Sequence, residues 1–165
     1  MHRHTTHLVA CLIVLTCCFA PAAFAQSADN AAKPQLKAGA AISDMTPPLG
    51  SPIIGGWRPI PATHVHDPLH ARCIVLDNGD TRLAIVICDN LGIPREVLDE
   101  ARKRIAALDI NLPASHILLA ATHTHSSASA YGSNRLKPDD WFNEYQSLII
   151  TRIVDAVRTA EHRLE

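Results

Sequence analysis

The chain has few aromatic residues, almost no net charge and no long hydrophobic run. Phe, Trp and Tyr make up 4% of its 165 residues, so the core must consist mainly of Ala, Leu, Ile and Val. A formal net charge of −1 without a basic stripe argues against a nucleic-acid partner. The apolar stretch at residues 8–20 is too short to be a stable membrane span. The remaining composition, 47% hydrophobic and 19% charged, is typical of a folded globular domain.

Several common catalytic motifs are also missing from the sequence. There is no His-Glu-x-x-His zinc helix, no Gly-x-Ser-x-Gly nucleophile elbow and no phosphate-binding loop. A metallo-β-lactamase-like site would continue its histidine pair with Asp-His, whereas Ser126 and Ser127 follow the pair here. These absences exclude the corresponding hydrolase and nucleotide-binding classes.

Residues 1–25 have the pattern of a secretory signal peptide. A polar start carrying Arg3 precedes the apolar stretch at 8–20, and the small-x-small sequence Ala-Phe-Ala follows at 23–25. An uncleaved anchor is the alternative. The pattern predicts a secreted or periplasmic protein with no transmembrane segment after cleavage, and a flexible polar tail at residues 26–35.

Cleavage after residue 25 would leave two cysteines, Cys73 and Cys88. In an exported protein these two could form one disulfide. Both lie inside apolar, strand-like runs, ARCIVLD and LAIVICD, where cysteine can instead serve as a small buried hydrophobic residue. The sequence leaves both possibilities open.

The first half of the predicted domain is rich in β-structure. A short strand is predicted at residues 36–43, and the proline- and glycine-rich segment 44–61 excludes a helix or a central strand. Two apolar, β-branched runs at His70–Asp77 and 81–89 flank Asp-Asn-Gly-Asp, which predicts a β-hairpin.

The second half alternates helix and strand. Helical spacing predicts a helix over residues 94–110 with Pro94 in its first turn, then a strand at 115–121 and a second helix at 138–165. Strand, helix and strand in this order indicate a right-handed parallel crossover. The predicted class is α/β, a mixed sheet with a hairpin, a parallel βαβ crossover and helices packed on it. Two helices cannot cover such a sheet, so residues 36–165 are expected to be part of a larger domain.

The sequence ATHTHSS places His123 and His125 directly after the last predicted strand. If extended geometry continues past Ala121, the two imidazoles point to the same side. Neutral imidazole is a preferred zinc ligand, and catalytic zinc sites use three protein ligands and an open position. Paired loop histidines bonded to backbone groups are the alternative.

Asp89 ends the strand that should lie beside the one preceding His125. Because ligands gather at the carboxyl ends of parallel strands, both residues are expected to face one crevice, where Asp89 would contact substrate. Asp89 could equally fix a loop or cap a helix. His64, His66 and Asp67 lie in the segment before the hairpin and could close over this crevice.

Three segments resemble those of the neutral/alkaline non-lysosomal ceramidases, in the same order. The segment GAAISDMTPPLG, residues 39–50, looks like the family's Asp-Ile-Thr-Pro opening, and HDPLHAR, residues 66–72, resembles its next signature. The segment ILLAATHTHS, residues 117–126, matches the family's Thr-His-Thr-His-Ser. Since the resemblance spans residues 36–165, it is more specific than any single motif.

The resemblance implies the N-terminal part of a secreted, zinc-dependent amidase with a catalytic domain several times longer than this chain. The family hydrolyses the N-acyl bond of ceramide to give sphingosine and a fatty acid, which implies a ceramide-like lipid substrate at a membrane surface. By matched position His123 would be the first Zn²⁺ ligand and His125 a catalytic residue beside it. His66 would contact substrate. The family's other zinc ligands, a histidine, a glutamate and a tyrosine, lie downstream, so this chain alone is expected to be inactive.

One departure from the family concerns the residues after the histidine pair. The family commonly has Ser-Gly-Pro there, whereas Ser126 is followed here by Ser127-Ala128-Ser129. The change alters a turn that shapes the pocket. A relative acting on another amide or ester, and a non-catalytic exported binding domain, are the alternative functions.

Overall fold

Residues 35–56, 58–131 and 142–165 are described by the structure, a computed structural model. They belong to one compact unit, Pro34–Glu165. The signal peptide predicted at residues 1–25 lies outside the described residues, as does all but the last residue of the tail predicted at 26–35. Within the described part, no helix is both long and apolar enough to cross a bilayer.

The elements follow the predicted order. The strands are β1 Lys37–Asp44, β2 Pro52–Ile53, β3 Ile60–Pro61, β4 His70–Asp77, β5 Arg82–Cys88 and β6 Ile117–Ala121. The helices are α1 Arg95–Ala106 and α2 Glu144–Glu161, and a 3₁₀ turn, Ala114–His116, precedes β6. The predicted strand at 36–43 is confirmed by β1, and the second predicted helix begins at Glu144; residues 138–141 lie outside the described residues.

The hairpin of β4 and β5 is confirmed, and its turn shows why it forms. Asp77 pairs with Arg82, and Gly79 adopts a positive φ of 92°, a conformation that costs glycine little. The Asn78 side chain accepts a hydrogen bond from the Thr81 amide at 2.7 Å, and the Asp77 carboxylate accepts one from the Gly79 amide at 2.7 Å. The turn therefore satisfies its own backbone donors.

The main sheet has the strand order β1-β4-β5-β6, with antiparallel pairs except for parallel β5 and β6. The chain passes from β5 to β6 through α1, which is the predicted βαβ connection. The predicted α/β class is confirmed: a mixed sheet carries two helices and forms only part of a larger domain.

Both helices join one hydrophobic core with one face of the sheet. We call this the helix face; its buried residues include Ala41, Ala71, Cys73, Val75, Ala84, Val86, Cys88, Ile117 and Leu119. The opposite side, the outer face, carries Ile42, Ile74, Ile85, Ile87 and Leu118. Helix α2 packs across β1, β4 and β5 and contacts α1, so the core lies between the helix face and α2.

The two helix starts differ from each other. Pro94 is the N-cap of α1, with φ −67° and ψ 155°, whereas the sequence predicted it inside the first turn. Its extended ψ places it one residue before the helix. Helix α2 begins with a capping box, in which Asn143 and Gln146 each bond the other's backbone amide.

The described residues of segment 44–61 contain no helix, as predicted. Its short strands β2 and β3 form a ladder of two residue pairs, which the sequence analysis did not anticipate. Ile53 also forms a β-bridge with Ala128, so the segment is fixed against the loop after β6.

Cys73 and Cys88 are buried free thiols. Cys73 pairs with Val86 and Cys88 with Ala71, so the two cysteines are diagonal neighbours on the helix face. The sequence left open whether Cys73 and Cys88 form a disulfide or serve as small buried hydrophobic residues. In the structure they are buried and do not form a disulfide.

Candidate functional site

The histidine pair lies at the carboxyl end of β6. The Thr122 amide donates to the Cys88 carbonyl at 3.0 Å, after which the chain leaves the sheet. His123 then adopts a positive φ of 63°, so the extended geometry assumed for the pair does not hold beyond the strand. The two rings nevertheless lie together, with centroids 5.1 Å apart in an edge-to-face arrangement.

Each imidazole of the pair is oriented by a backbone carbonyl. His123 Nδ1 lies 2.8 Å from the Leu91 carbonyl oxygen, and His125 Nδ1 lies 2.7 Å from that of Gly55. Because a carbonyl oxygen can only accept, each Nδ1 must carry the proton. Each neutral ring then has its lone pair on Nε2, the atom with which such histidines bind metal.

His123 has a backbone conformation that disfavours side chains larger than glycine. A left-handed φ is uncommon outside glycine, although histidine, asparagine and aspartate adopt it more often than other residues, and surrounding contacts help to maintain it here. Its ring bond to the Leu91 carbonyl is one such contact. This uncommon conformation lies at the residue that the family resemblance implies as the first metal ligand.

Gly55 is required by the close approach of His125. A Cβ at position 55 would lie 2.0 Å from the His125 carbonyl oxygen and 2.4 Å from its Cα. The glycine-rich loop is recognisable in the sequence, but Gly55 and Leu91 are not recognisable there as partners of the histidines. Only the pair Gly55-Gly56 gave a signal, since a backbone carbonyl such as that of Leu91 has no sequence signature.

A cleft of about 530 Å³ lies beside the pair, between segment 46–69 and the loop after β6. Its lining includes His64, His66, Thr124 and Ser126. Thr124 and Ser126, the neighbours of the two histidines, line the cleft. His123 and His125 are not among the described residues that line it. The structure therefore places the cleft next to the imidazole pair.

His66 lies on the rim of this cleft. Its side chain is 86% exposed, and its Nδ1 lies 2.8 Å from the Asp67 carboxylate. His64 Nδ1 lies 3.2 Å from the Thr63 hydroxyl. The substrate contact predicted for His66 stays a prediction that its place on the cleft allows.

Asp89 fixes the start of β4 to the end of β5. Its carboxylate accepts hydrogen bonds from the His70 amide at 3.0 Å and from the Arg72 guanidinium, and its amide donates to the His70 carbonyl at 2.9 Å. This is the loop-fixing alternative considered for Asp89. Its side chain is 16% exposed, and a contact with substrate stays a prediction.

Two buried polar side chains connect the loops at this end of the sheet to α2. Asn90 donates to the Tyr145 hydroxyl at 3.1 Å, and Gln146 donates to the Ala130 carbonyl at 2.9 Å. Burial raises the pKa of Tyr145 to about 12, so this phenol stays protonated. Neither contact was predictable from the sequence, since neither side chain belongs to a motif.

The donor atoms at the pair suit zinc, although they are fewer than a zinc site needs. Residues 35–56, 58–131 and 142–165 contain no group of three or more His, Cys, Asp or Glu side chains that could hold a metal ion. A catalytic zinc site has three protein ligands. The described residues therefore supply at most a part of one.

Comparison with known proteins identifies solved structures that share the fold of this chain. No family model and no curated protein matches the chain. Among solved structures, the neutral ceramidase from Pseudomonas aeruginosa matches 79% of this chain with 21% identity and a TM-score of 0.59. A ceramidase complexed with C2 matches 79% of it with 21% identity and a TM-score of 0.63. The chain shares their fold. It spans 22% of the length of each neighbour.

Proposed function

We propose that this chain is the N-terminal part of a zinc-dependent amidase of the neutral ceramidase type. The reaction is hydrolysis of the N-acyl bond of a ceramide-like lipid to sphingosine and a fatty acid. One observation carries the proposal: in a fold shared with two ceramidases, the pair His123 and His125 lies at the carboxyl end of a parallel strand. This is the end of an open α/β sheet where ligands bind.

The hydrogen bonds of the pair support separate roles for its members. His123 would bind zinc through Nε2, because its Nδ1 proton is committed to the Leu91 carbonyl. His125, with its ring edge-to-face against His123, would orient the scissile amide, or take a proton from the attacking water and pass it to the leaving amine. When bound, zinc supplies a Lewis acid for the amide carbonyl and for the attacking water.

The remaining ligands would come from outside the described residues. Two histidines cannot complete a site that needs three protein ligands, so the isolated chain is proposed to be inactive. The 22% share of each ceramidase that the chain spans leaves room for such ligands in a longer protein.

The substrate would lie along the cleft beside the pair. The cleft combines apolar residues such as Ile53 and Leu69 with polar groups such as His66. This mixture suits a molecule with an alkyl chain and an amide headgroup. A lipid substrate implies that the protein works at a membrane surface.

Metal analysis of the purified protein, expressed from the longest reading frame that contains this chain, tests the proposal. We expect about one zinc per protein, lost in His123→Ala. His116→Ala is the matched control, since His116 Nδ1 also bonds a backbone carbonyl, that of Arg82, at the opposite end of β6. Zinc retained in His123→Ala, or a wild-type protein without zinc, would contradict the metal assignment.

Release of fatty acid from a labelled ceramide, measured on the same samples, tests the substrate. Activity that disappears with zinc supports the ceramidase assignment. If the zinc-loaded protein leaves ceramide intact but cleaves another amide or an ester, the assignment of ceramide as substrate is wrong. The assignment as a zinc-dependent hydrolase would still hold.

Export belongs to the proposal as well. Residues 1–25 would direct the chain out of the cytoplasm and be removed. N-terminal sequencing of the protein recovered from the periplasm or medium should begin at Gln26. Recovery of an intact Met1 from the cytoplasm would contradict export.

A further inference from the structure

Ser127 connects the two segments that orient the histidine pair. It lies two residues after His125 in the loop that follows β6, and it is 1% exposed. Its hydroxyl contacts the segment after β5, while its carbonyl contacts the segment before Gly55. No motif identifies it, since it stands where the ceramidase signature has glycine.

The side-chain contact leads to His123. Ser127 Oγ accepts a hydrogen bond from the Leu91 amide at 3.0 Å, and the Leu91 carbonyl accepts one from His123 Nδ1 at 2.8 Å. Leu91 is therefore fixed at its amide by the serine and presents its carbonyl to the imidazole.

The backbone contact leads to His125. The Ser127 carbonyl accepts a hydrogen bond from the Ile54 amide at 3.2 Å, and the next residue, Gly55, accepts one from His125 Nδ1 at 2.7 Å. This second contact uses no side-chain atom of Ser127. The two histidines thus depend on different atoms of the same residue.

We propose that Ser127 is a positioning residue that holds Leu91 so that His123 keeps its proton on Nδ1 and its lone pair on Nε2. The inference about the tautomer rests on the hydrogen bonds alone, and its use in metal binding rests on the proposed function. An alanine would occupy almost the same space, so the contribution of the hydroxyl is the bond to Leu91. An imidazole that loses its fixed carbonyl partner becomes a mixture of the Nδ1-protonated and Nε2-protonated tautomers. The Nε2-protonated tautomer cannot bind metal through Nε2.

The ring tautomers of the full ¹⁵N-labelled chain test this inference without any metal. At about pH 8.5 imidazole is neutral, and two-bond proton–nitrogen correlations show which ring nitrogen carries the proton. In Ser127→Ala we expect His123 to change from the Nδ1-protonated form to a mixture of tautomers. His125 should stay unchanged, because its contact uses the backbone of residue 127.

The control substitution is Ser115→Ala, an exposed serine beside His116, whose Nδ1 is also bonded to a carbonyl. It should change none of the three rings. Unchanged His123 tautomers in Ser127→Ala would overturn the inference. An equal change at His125 would also overturn it, since that result indicates general disruption of the loop.

A second pair of variants covers the case in which Ser127→Ala does not fold. Ser127→Thr and Ser127→Val have nearly the same shape and differ by the hydroxyl. We expect the wild-type tautomer of His123 in the threonine variant and the mixture in the valine variant. The same tautomer in both would overturn the proposal.

Zinc affinity of the longer protein separates this inference from the proposed function. If both are right, Ser127→Ala weakens zinc binding about 10-fold, the effect typical of losing a group that orients a ligand. A wild-type protein that binds no zinc would contradict the proposed function, while the tautomers would still decide the role of Ser127.

Discussion

The helix face and the outer face of the main sheet have similar side chains and very different surroundings. On β4, Val75 is fully buried under α2 while its neighbour Ile74 is 49% exposed. On β6, Leu119 is 6% exposed and Leu118 is 56% exposed. Both faces are apolar, but the two helices cover only one of them.

The difference agrees with a sheet that belongs to a larger domain. Whereas strands with one solvated face alternate apolar and polar residues, strands that are buried on both faces consist of nearly continuous apolar residues. Strand β5, RLAIVIC, has this composition, and its residues Ile85 and Ile87 lie on the outer face. The strand sequences are thus those of a sheet buried on both sides.

Thiol reactivity should show the largest difference between the faces. Burial raises the pKa of both Cys73 and Cys88 to about 12. At about pH 8 the reactive thiolate is then about a thousand-fold rarer than for an exposed cysteine. We expect iodoacetamide to label Ile74→Cys, on the outer face, about a thousand-fold faster than Cys73 or Cys88.

Mass spectrometry after timed labelling gives the rate at each site separately. Urea should abolish the difference, because unfolding exposes all three thiols. Native Cys73 labelled as fast as Ile74→Cys would mean that the helix face is open to solvent, contrary to the structure.

The extent to which the sequence predicted these features depends on how local their causes are. The hairpin and the crossover were predictable, since Asn78-Gly79 and the helical spacing of α1 are encoded within short segments. Which face the helices cover was not, because runs such as ARCIVLD are apolar on both sides.

The side chains of the candidate site were predictable from the sequence, but the backbone groups that orient them were not. His123 and His125 stand out in the sequence, and their proximity was expected, although from an extended geometry that ends at Ala121. Their partners are the carbonyls of Leu91 and Gly55, which are distant in sequence and chemically the same as every other carbonyl.

Truncation of buried and exposed isoleucines should give the next largest contrast. Ile153 of α2 is fully buried against the helix face, so Ile153→Ala should lower the free energy of unfolding by about 3 kcal/mol. Ile74→Ala removes the same atoms from the outer face and should cost less than about 1 kcal/mol. Urea denaturation followed by circular dichroism measures both. Equal losses would indicate that the outer face is covered in solution.

A smaller effect is expected where α2 ends against the helix face. A Cβ on Gly39 would lie 2.0 Å from the Ala160 carbonyl oxygen, so backbone must move to admit Gly39→Ala. We expect a loss of about 2 kcal/mol in the same denaturation experiment. In the control Gly56→Ala the nearest atom, the Arg58 carbonyl oxygen, is 3.7 Å away, and stability should change by less than about 0.5 kcal/mol. Similar losses in both variants would contradict the close contact between β1 and α2.

The smallest effect concerns the charged group at the edge of the helix face. Arg82 donates to the Asp77 carboxylate at 2.7 Å and to Glu161 of α2 at 3.0 Å. The amide of Gly79 and the Arg82 guanidinium both hold the pKa of Asp77 below its ordinary value of 3.8. A lowered folded-state pKa stabilises the fold above the unfolded-state value, and this stabilisation disappears as the pH falls through the folded-state pKa.

Asp77→Asn should therefore unfold more easily than wild type at pH 7 and lose less stability on acidification below about pH 4. Asp80→Asn, an exposed position in the same turn, should keep the wild-type pH profile. Thermal denaturation between about pH 2 and pH 7 compares the three proteins. If Asp77→Asn loses stability as steeply as wild type below about pH 4, the Asp77–Arg82 ion pair does not stabilise the hairpin at the edge of the helix face.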